Sequence, residues 1–211
     1  LDHGIPCRQF NQKQKNNLLF RIAVIKNRIS IECSHILADG GGALRFFRYL
    51  LLQYFKQDGV DVEQQLKEFV GDPDVFNKEF NDSYQEYFQK DIPPNVKRPK
   101  SFHLPYPLKN KPRFDVLIAI MSIDEINKKA RDKEVNLTVY LIALYLYVLQ
   151  DIHKNLPEYS RAKKKKILRI QVPVNLRNIY ESKTMRNFSL FVMPEIDLRL
   201  GHYTFDEIIK I

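Results

Sequence analysis

Ser34-His35-Ile36-Leu37-Ala38-Asp39-Gly40-Gly41-Gly42 decides how this chain is read, because it sets a histidine, an acid and a run of glycines between a strand and a long helix. Upstream, residues 18–25 and 28–34 are rich in β-branched side chains and alternate in character. Lys26-Asn27 between them is short enough for a two-residue hairpin loop, in which asparagine tolerates positive φ. Ile29, Ile31 and Cys33 share one face of the second strand, and if the period of two continues, His35 points the same way, toward the interior. Downstream, Ala43, Phe46, Phe47, Leu50, Leu51 and Tyr54 recur at helical spacing, so a buried helix is expected to begin just after the glycines.

A histidine leaving the end of a core strand is placed to act as a base. A neutral imidazole takes up a proton near neutral pH and gives it back. Most lone histidines at strand ends are simply surface residues or satisfied core residues. The spacing His-x-x-x-Asp-Gly gains weight here from its setting of strand, motif and amphipathic helix. The glycines bring backbone amides to a helix N-terminus, where partial positive charge favours an anion. The Lys-Ser/Thr that completes a phosphate-binding P-loop is missing, and the run does not have dinucleotide-binding spacing.

The rest of the chain falls into three blocks. Residues 1–89 hold the hairpin, the motif, the aromatic-rich helix and a helical stretch at 62–69. Residues 90–114, with Pro93, Pro94, Pro99, Pro105, Pro107 and Pro112, have no sustained period and are expected to form an extended crossover. Residues 115–211 start a new unit. It is read as a strand at 116–121, a helix capped by Asp124, a buried Tyr-rich helix capped by Asn136 or Thr138, strands near 168–174 and 188–193, and a helix start after Thr204. Tyr140, Tyr145 and Tyr147 are read as packing residues.

Composition narrows the function classes. Two cysteines, Cys7 and Cys33, make no disulfide framework, and no Cys/His cluster has metal-ligand spacing, so no metal is expected and a reducing, cytoplasmic setting is. The longest apolar run, 139–149, is too short to span a membrane. Asn136-Leu137-Thr138 and Asn187-Phe188-Ser189 fit the glycosylation pattern by chance. The net charge of +9 and the lysine run 163–166 raise nucleic acid as a partner, but no aromatic residue interleaves the run and no nucleic-acid motif surrounds it. A basic surface equally draws in an anionic small molecule.

The motif resembles the His-x-x-x-Asp-Gly signature of the chloramphenicol acetyltransferase and condensation-domain superfamily of acyltransferases, with Ser34 where many members have a second histidine. Ile170-Gln171-Val172-Pro173-Val174-Asn175-Leu176-Arg177, followed by Asn187-Phe188, is similar to a later strand of that family, and residues 123–149 to the helix pair opening its second half. The bacterial alcohol acetyltransferase-like branch is the nearest. The Asp-Phe-Gly-Trp-Gly element of some branches is absent, and the chain has no tryptophan.

The resemblance implies an α/β fold of two similar lobes with mixed sheets, meeting at a tunnel with the histidine midway. It also implies that this chain, which lacks an initiator Met, is an internal fragment, inactive alone and prone to self-association or pairing with missing segments. The implied activity is transfer of an acyl group from acyl-CoA or an acylated carrier to a small-molecule alcohol or amine, an alcohol being favoured. His35 is the implied general base, with no covalent acyl-enzyme. Acyl-CoA is then a donor substrate, and no cofactor is permanently bound. Asp39, Gly40 and Arg177 are implied to be structural at the site, with Asp39 turned from the histidine and paired with Arg177. Ser34, Gly41 and Asn187 are the residues expected to touch substrate. A non-catalytic binding protein on the same fold is the alternative.

Overall fold

The computed structural model describes residues 10, 18–70, 77–91, 97–107, 110, 117–158 and 165–211. Over these the chain mixes α-helices with small antiparallel sheets. It divides into two compact units, Leu1–Ile92 with Pro173–Leu190, and Pro93–Val172 with Phe191–Ile211. Cys7, Val116, Lys163 and Lys164 lie outside the described residues.

The first unit opens with the expected hairpin, β1 (Phe20–Ile25) against β2 (Arg28–Cys33). The register sets Phe20 opposite Cys33, Ile22 opposite Ile31 and Val24 opposite Ile29, so all six share one apolar face. On the other face Arg21 pairs across the strands with Glu32 at 2.8 Å. The loop differs from expectation in one respect. Lys26, not Asn27, takes the positive φ of 54°, at the first loop position as in a II′-like turn.

Helix α1 (Gly40–Gln57) starts on the glycines rather than after them, because Asp39 in extended conformation caps it by accepting from the Gly42 amide. Phe46 of α1 meets Phe20 of β1 edge-on, with ring centroids 5.5 Å apart. One turn on, Tyr49 meets Phe69 of α2 (Glu63–Val70), and Val62 and Leu66 are buried. A short helix α3 (Ser83–Glu86), capped by Asp82, brings Tyr84 and Tyr87 against Phe188, whose side chain is almost fully buried. Phe188 belongs to this unit through residues 173–190. There β4 (Val172–Asn175) leads into a 3-10 turn (Leu176–Asn178) and returns toward β5 (Ser189–Val192), the Leu176 amide donating to the Phe188 carbonyl at 3.2 Å.

In the second unit, Ser122 rather than Asp124 caps α4 (Ile123–Arg131), its hydroxyl accepting from the Glu125 amide while its backbone is extended. Asn136, of the two candidates Asn136 and Thr138, caps α5 (Leu137–Lys154), accepting from the Val139 amide. Ala143 and Leu146 of α5 pack with Phe102, Leu168, Ile196 and Ile208 into one core. The reading at 168–174 resolves into two separate strands, and β3 (Ile167–Arg169) pairs antiparallel with β6 (Glu195–Asp197). Buried Gln150 substitutes for a strand neighbour. Its amide donates to the Tyr203 carbonyl at 2.8 Å and accepts from the Tyr203 amide at 2.9 Å. Helix α6 (Phe205–Ile209) opens with a capping box between Thr204 and Glu207. Tyr140 and Tyr147 contact Phe205 edge-on as packing residues, whereas Tyr145 is exposed.

The strand expected at 116–121 is not formed over its described residues. Leu117 and Ile120 stand almost fully exposed at 98% and 96%, since an apolar run becomes a strand only where a neighbour supplies a hydrogen-bonded ladder. Among the described residues no helix is long and apolar enough to cross a membrane, and no group of histidine, cysteine and acidic residues could hold a metal ion.

Candidate functional site

The motif is built around Asp39, a carboxylate only 5% exposed. Its Oδ1 accepts from the Gly42 amide at 2.9 Å. Its Oδ2 accepts from the Phe188 amide at 2.8 Å and from the Arg177 guanidinium at 2.7 Å. Burial alone would push this carboxyl up. The bond from Arg177, then those from the Gly42 and Phe188 amides, then the Arg177 charge outweigh it and hold the pKa below the usual carboxylate range. Both oxygens of Asp39 are therefore engaged, by three donors that favour the charged form.

Arg177 spreads its guanidinium over four oxygens. Besides Asp39, it donates from Nε to the Thr184 carbonyl at 2.9 Å, to Asn175 Oδ1 at 3.0 Å and to the Arg186 carbonyl at 2.7 Å. Asn175 also receives the Arg177 amide at 3.1 Å and so starts the 3-10 turn that presents the side chain. The chain around 184–186 is fixed in turn by Thr184, whose hydroxyl donates to the Asn81 carbonyl at 2.7 Å, and by the Met185 amide on the Glu79 carbonyl at 2.8 Å. Glu79 is held by Arg45 of α1 through Nε at 2.6 Å. The expected pairing of Asp39 with Arg177 is present, and it lies within a single compact unit.

The glycines divide by position. A Cβ on Gly42 would lie 1.9 Å from the Met185 carbonyl oxygen, so this helix can pack against 184–186 only with hydrogen at that place. A Cβ on Gly41 would come within 3.3 Å of Asp39 Oδ1, whereas one on Gly40 would meet open space. With the Gly42 amide spent on Asp39, the Gly40 and Gly41 amides are the first-turn donors left open on this exposed helix end.

His35 is not where the strand period placed it. Strand β2 ends at Cys33, and the chain turns at once, with the Leu37 and Ala38 amides on the Ser34 carbonyl at 2.9 and 3.3 Å. That turn breaks the alternation and leaves His35 exposed, with no hydrogen bond or ion pair among the described residues. Ser34 serves the turn itself, its hydroxyl accepting from the Ile36 amide at 3.4 Å. Asn187 accepts from the Ser189 hydroxyl at 3.0 Å. The structure thus joins Asp39, Gly41 and Arg177 in one cluster, with His35 exposed in the turn that leads into it. Thr184, Glu79 and Met185 escaped the sequence reading. They act mostly through backbone carbonyls and amides, which leave no residue signature.

Behind the turn lies a cavity of about 260 Å³, walled by Phe20, Cys33, Leu37, Gly42, Phe46 and Phe80 among others. Burial pushes the Cys33 thiol pKa up. A larger groove of about 730 Å³ in the second unit, along Thr138, Ile142 and Tyr145 of α5, includes none of the motif residues.

No protein-family model matches the chain, and neither a curated protein nor a solved structure does.

Proposed function

We propose that the chain carries the base-bearing part of an acyltransferase, of the two-lobed chloramphenicol acetyltransferase-like kind, moving an acyl group from a CoA or carrier thioester to an alcohol or amine. The observation that carries this reading is the division of labour inside the motif. Asp39 is fully engaged by Arg177, Phe188 and Gly42, while His35 stands free on a loop anchored from that point. A triad would turn the acid toward the imidazole, whereas here the acid fixes the loop and leaves the imidazole to act alone.

In the proposed reaction the acceptor hydroxyl passes its proton to a neutral His35 as its oxygen attacks the thioester carbonyl. The tetrahedral oxyanion collapses by breaking the carbon–sulfur bond, and the departing thiolate takes the proton from the imidazolium. Both substrates are held at once, so no acyl-enzyme is required. The open Gly40 and Gly41 amides, at the positive end of an 18-residue helix, are the donors available to the oxyanion or to a phosphate.

A non-catalytic binding protein is the second reading, favoured by the lack of any orienting partner on the imidazole among the described residues. Release of free thiol from acetyl-CoA by the intact protein, with a panel of alcohols and amines, separates the two. Acceptor-dependent release is expected. Its absence with every acceptor, from folded protein, would favour the binding reading.

A further inference from the structure

The cavity behind the motif is walled by the motif turn itself. Cys33 and Leu37, which bracket His35 in sequence, both line it, and its floor is Phe20, Ala43 and Phe46 from the hairpin and α1. Its volume of about 260 Å³ exceeds the roughly 150 Å³ of an apolar cavity that holds benzene. At about 30 Å³ for each water-sized group, it takes six to eight methylenes. That is less than a whole drug-sized ligand and suits one aliphatic segment. Its charged wall residues are Glu79, already neutralised by Arg45, and Arg186. The Arg186 side chain is 56% exposed and comes no closer than 3.9 Å to Asp82, its ion-pair partner. The lining is otherwise apolar, as an aliphatic chain requires.

We infer that this cavity holds the tail of the acyl group, an unbranched chain of about six carbons, with its carbonyl end at the mouth by the His35 turn. The assignment rests on the acyl-transfer reading for the identity of the chain, but its binding can be measured without transfer. Ala43 and Phe46 of α1 both line it, Phe46 edge-on to Phe20. Ala43→Leu therefore shortens the chain accepted, and Phe46→Ala lengthens it.

The test uses Cys33 as a reporter, in the intact protein with Cys7→Ser, by following its alkylation with iodoacetamide at alkaline pH. Hexanoate at ten times its Kd is expected to slow alkylation about tenfold, as simple occupancy dictates. Acetate is expected to give no protection. Ala43→Leu should abolish protection by hexanoate, and Phe46→Ala should extend it to dodecanoate. The chain-length profile of thiol release from acetyl-, hexanoyl- and dodecanoyl-CoA is expected to move with the same two variants. Protection that follows chain length and both variants, without transfer to any acceptor, keeps the cavity and overturns the transferase reading. Transfer with a profile that neither variant moves, and with Cys33 unprotected, keeps the transferase and overturns the cavity. Failure of both readouts overturns both.

Discussion

The Asp39 carboxylate and the Arg177 guanidinium meet at 2.7 Å although 138 positions separate them, and the same carboxylate caps the helix that begins at the next residue. One side chain thus fixes a local helix start and a long-range tie. Removing either partner strands a buried charge, with an expected cost of about 3 to 5 kcal/mol. Arg177→Leu and Asp39→Ala should each lower stability by that order in urea unfolding, and the double variant should cost less than the sum. Arg177→Lys should recover little, since a point charge cannot reach four separate oxygens. Additive effects would show that the pair does not act as a unit.

Lowering the pH tests the same carboxylate. The folded pKa of Asp39 lies below its ordinary value, so the folded state favours the charged form. The stabilisation is fully present above the unfolded pKa of about 3.9 and is lost as pH falls through the folded value. The stability gap between the native chain and Asp39→Asn should stay level from neutral pH down to about pH 5, then shrink below about pH 4. A gap that is flat with pH would remove the ionic account.

The glycines make a paired prediction. Gly42→Ala drives a methyl into the Met185 carbonyl, which is backbone and cannot swing aside, and should cost about 3 kcal/mol or more. Gly40→Ala meets no atom and should stabilise by about 0.5 kcal/mol through the unfolded chain. Thermal midpoints moving in opposite directions are the expected result, and equal shifts would contradict the packing described.

His35→Ala should reduce acceptor-dependent thiol release by about a hundred- to ten-thousandfold. Because the imidazole is exposed and unpartnered among the described residues, stability should change by no more than about 0.5 kcal/mol. A variant that stays folded and turns over near normally ends the base assignment.

What could be read from sequence was what the chain determines locally. The hairpin register follows from alternation, and Asn136 follows from its place before a helical run. Asp39 carries the same signal of an acid before a helix, and could have been read as a cap on that ground. Its pairing with Arg177 came from family likeness, because no periodicity relates positions in different blocks. His35 was misplaced because alternation holds only while the strand lasts, and Cys33 ends it. The 117–121 run shows the converse, a strand-like pattern without a ladder. Thr184 was invisible, its value lying in which carbonyls it reaches.

The first unit is assembled from two stretches of sequence, and the second supplies what the first lacks. During synthesis Asp39 emerges, and α1 with it, long before residues 173–190 leave the ribosome. Until then the acid can cap its helix, but it has neither the Arg177 guanidinium nor the Phe188 amide. The unit therefore closes late, by a contact of high sequence separation, a slow class of folding step. A nascent chain halted before Arg177 should hold a hairpin and a frayed helix in place of a finished loop. The residue that stabilises the site is also the one that decides when the site comes into being.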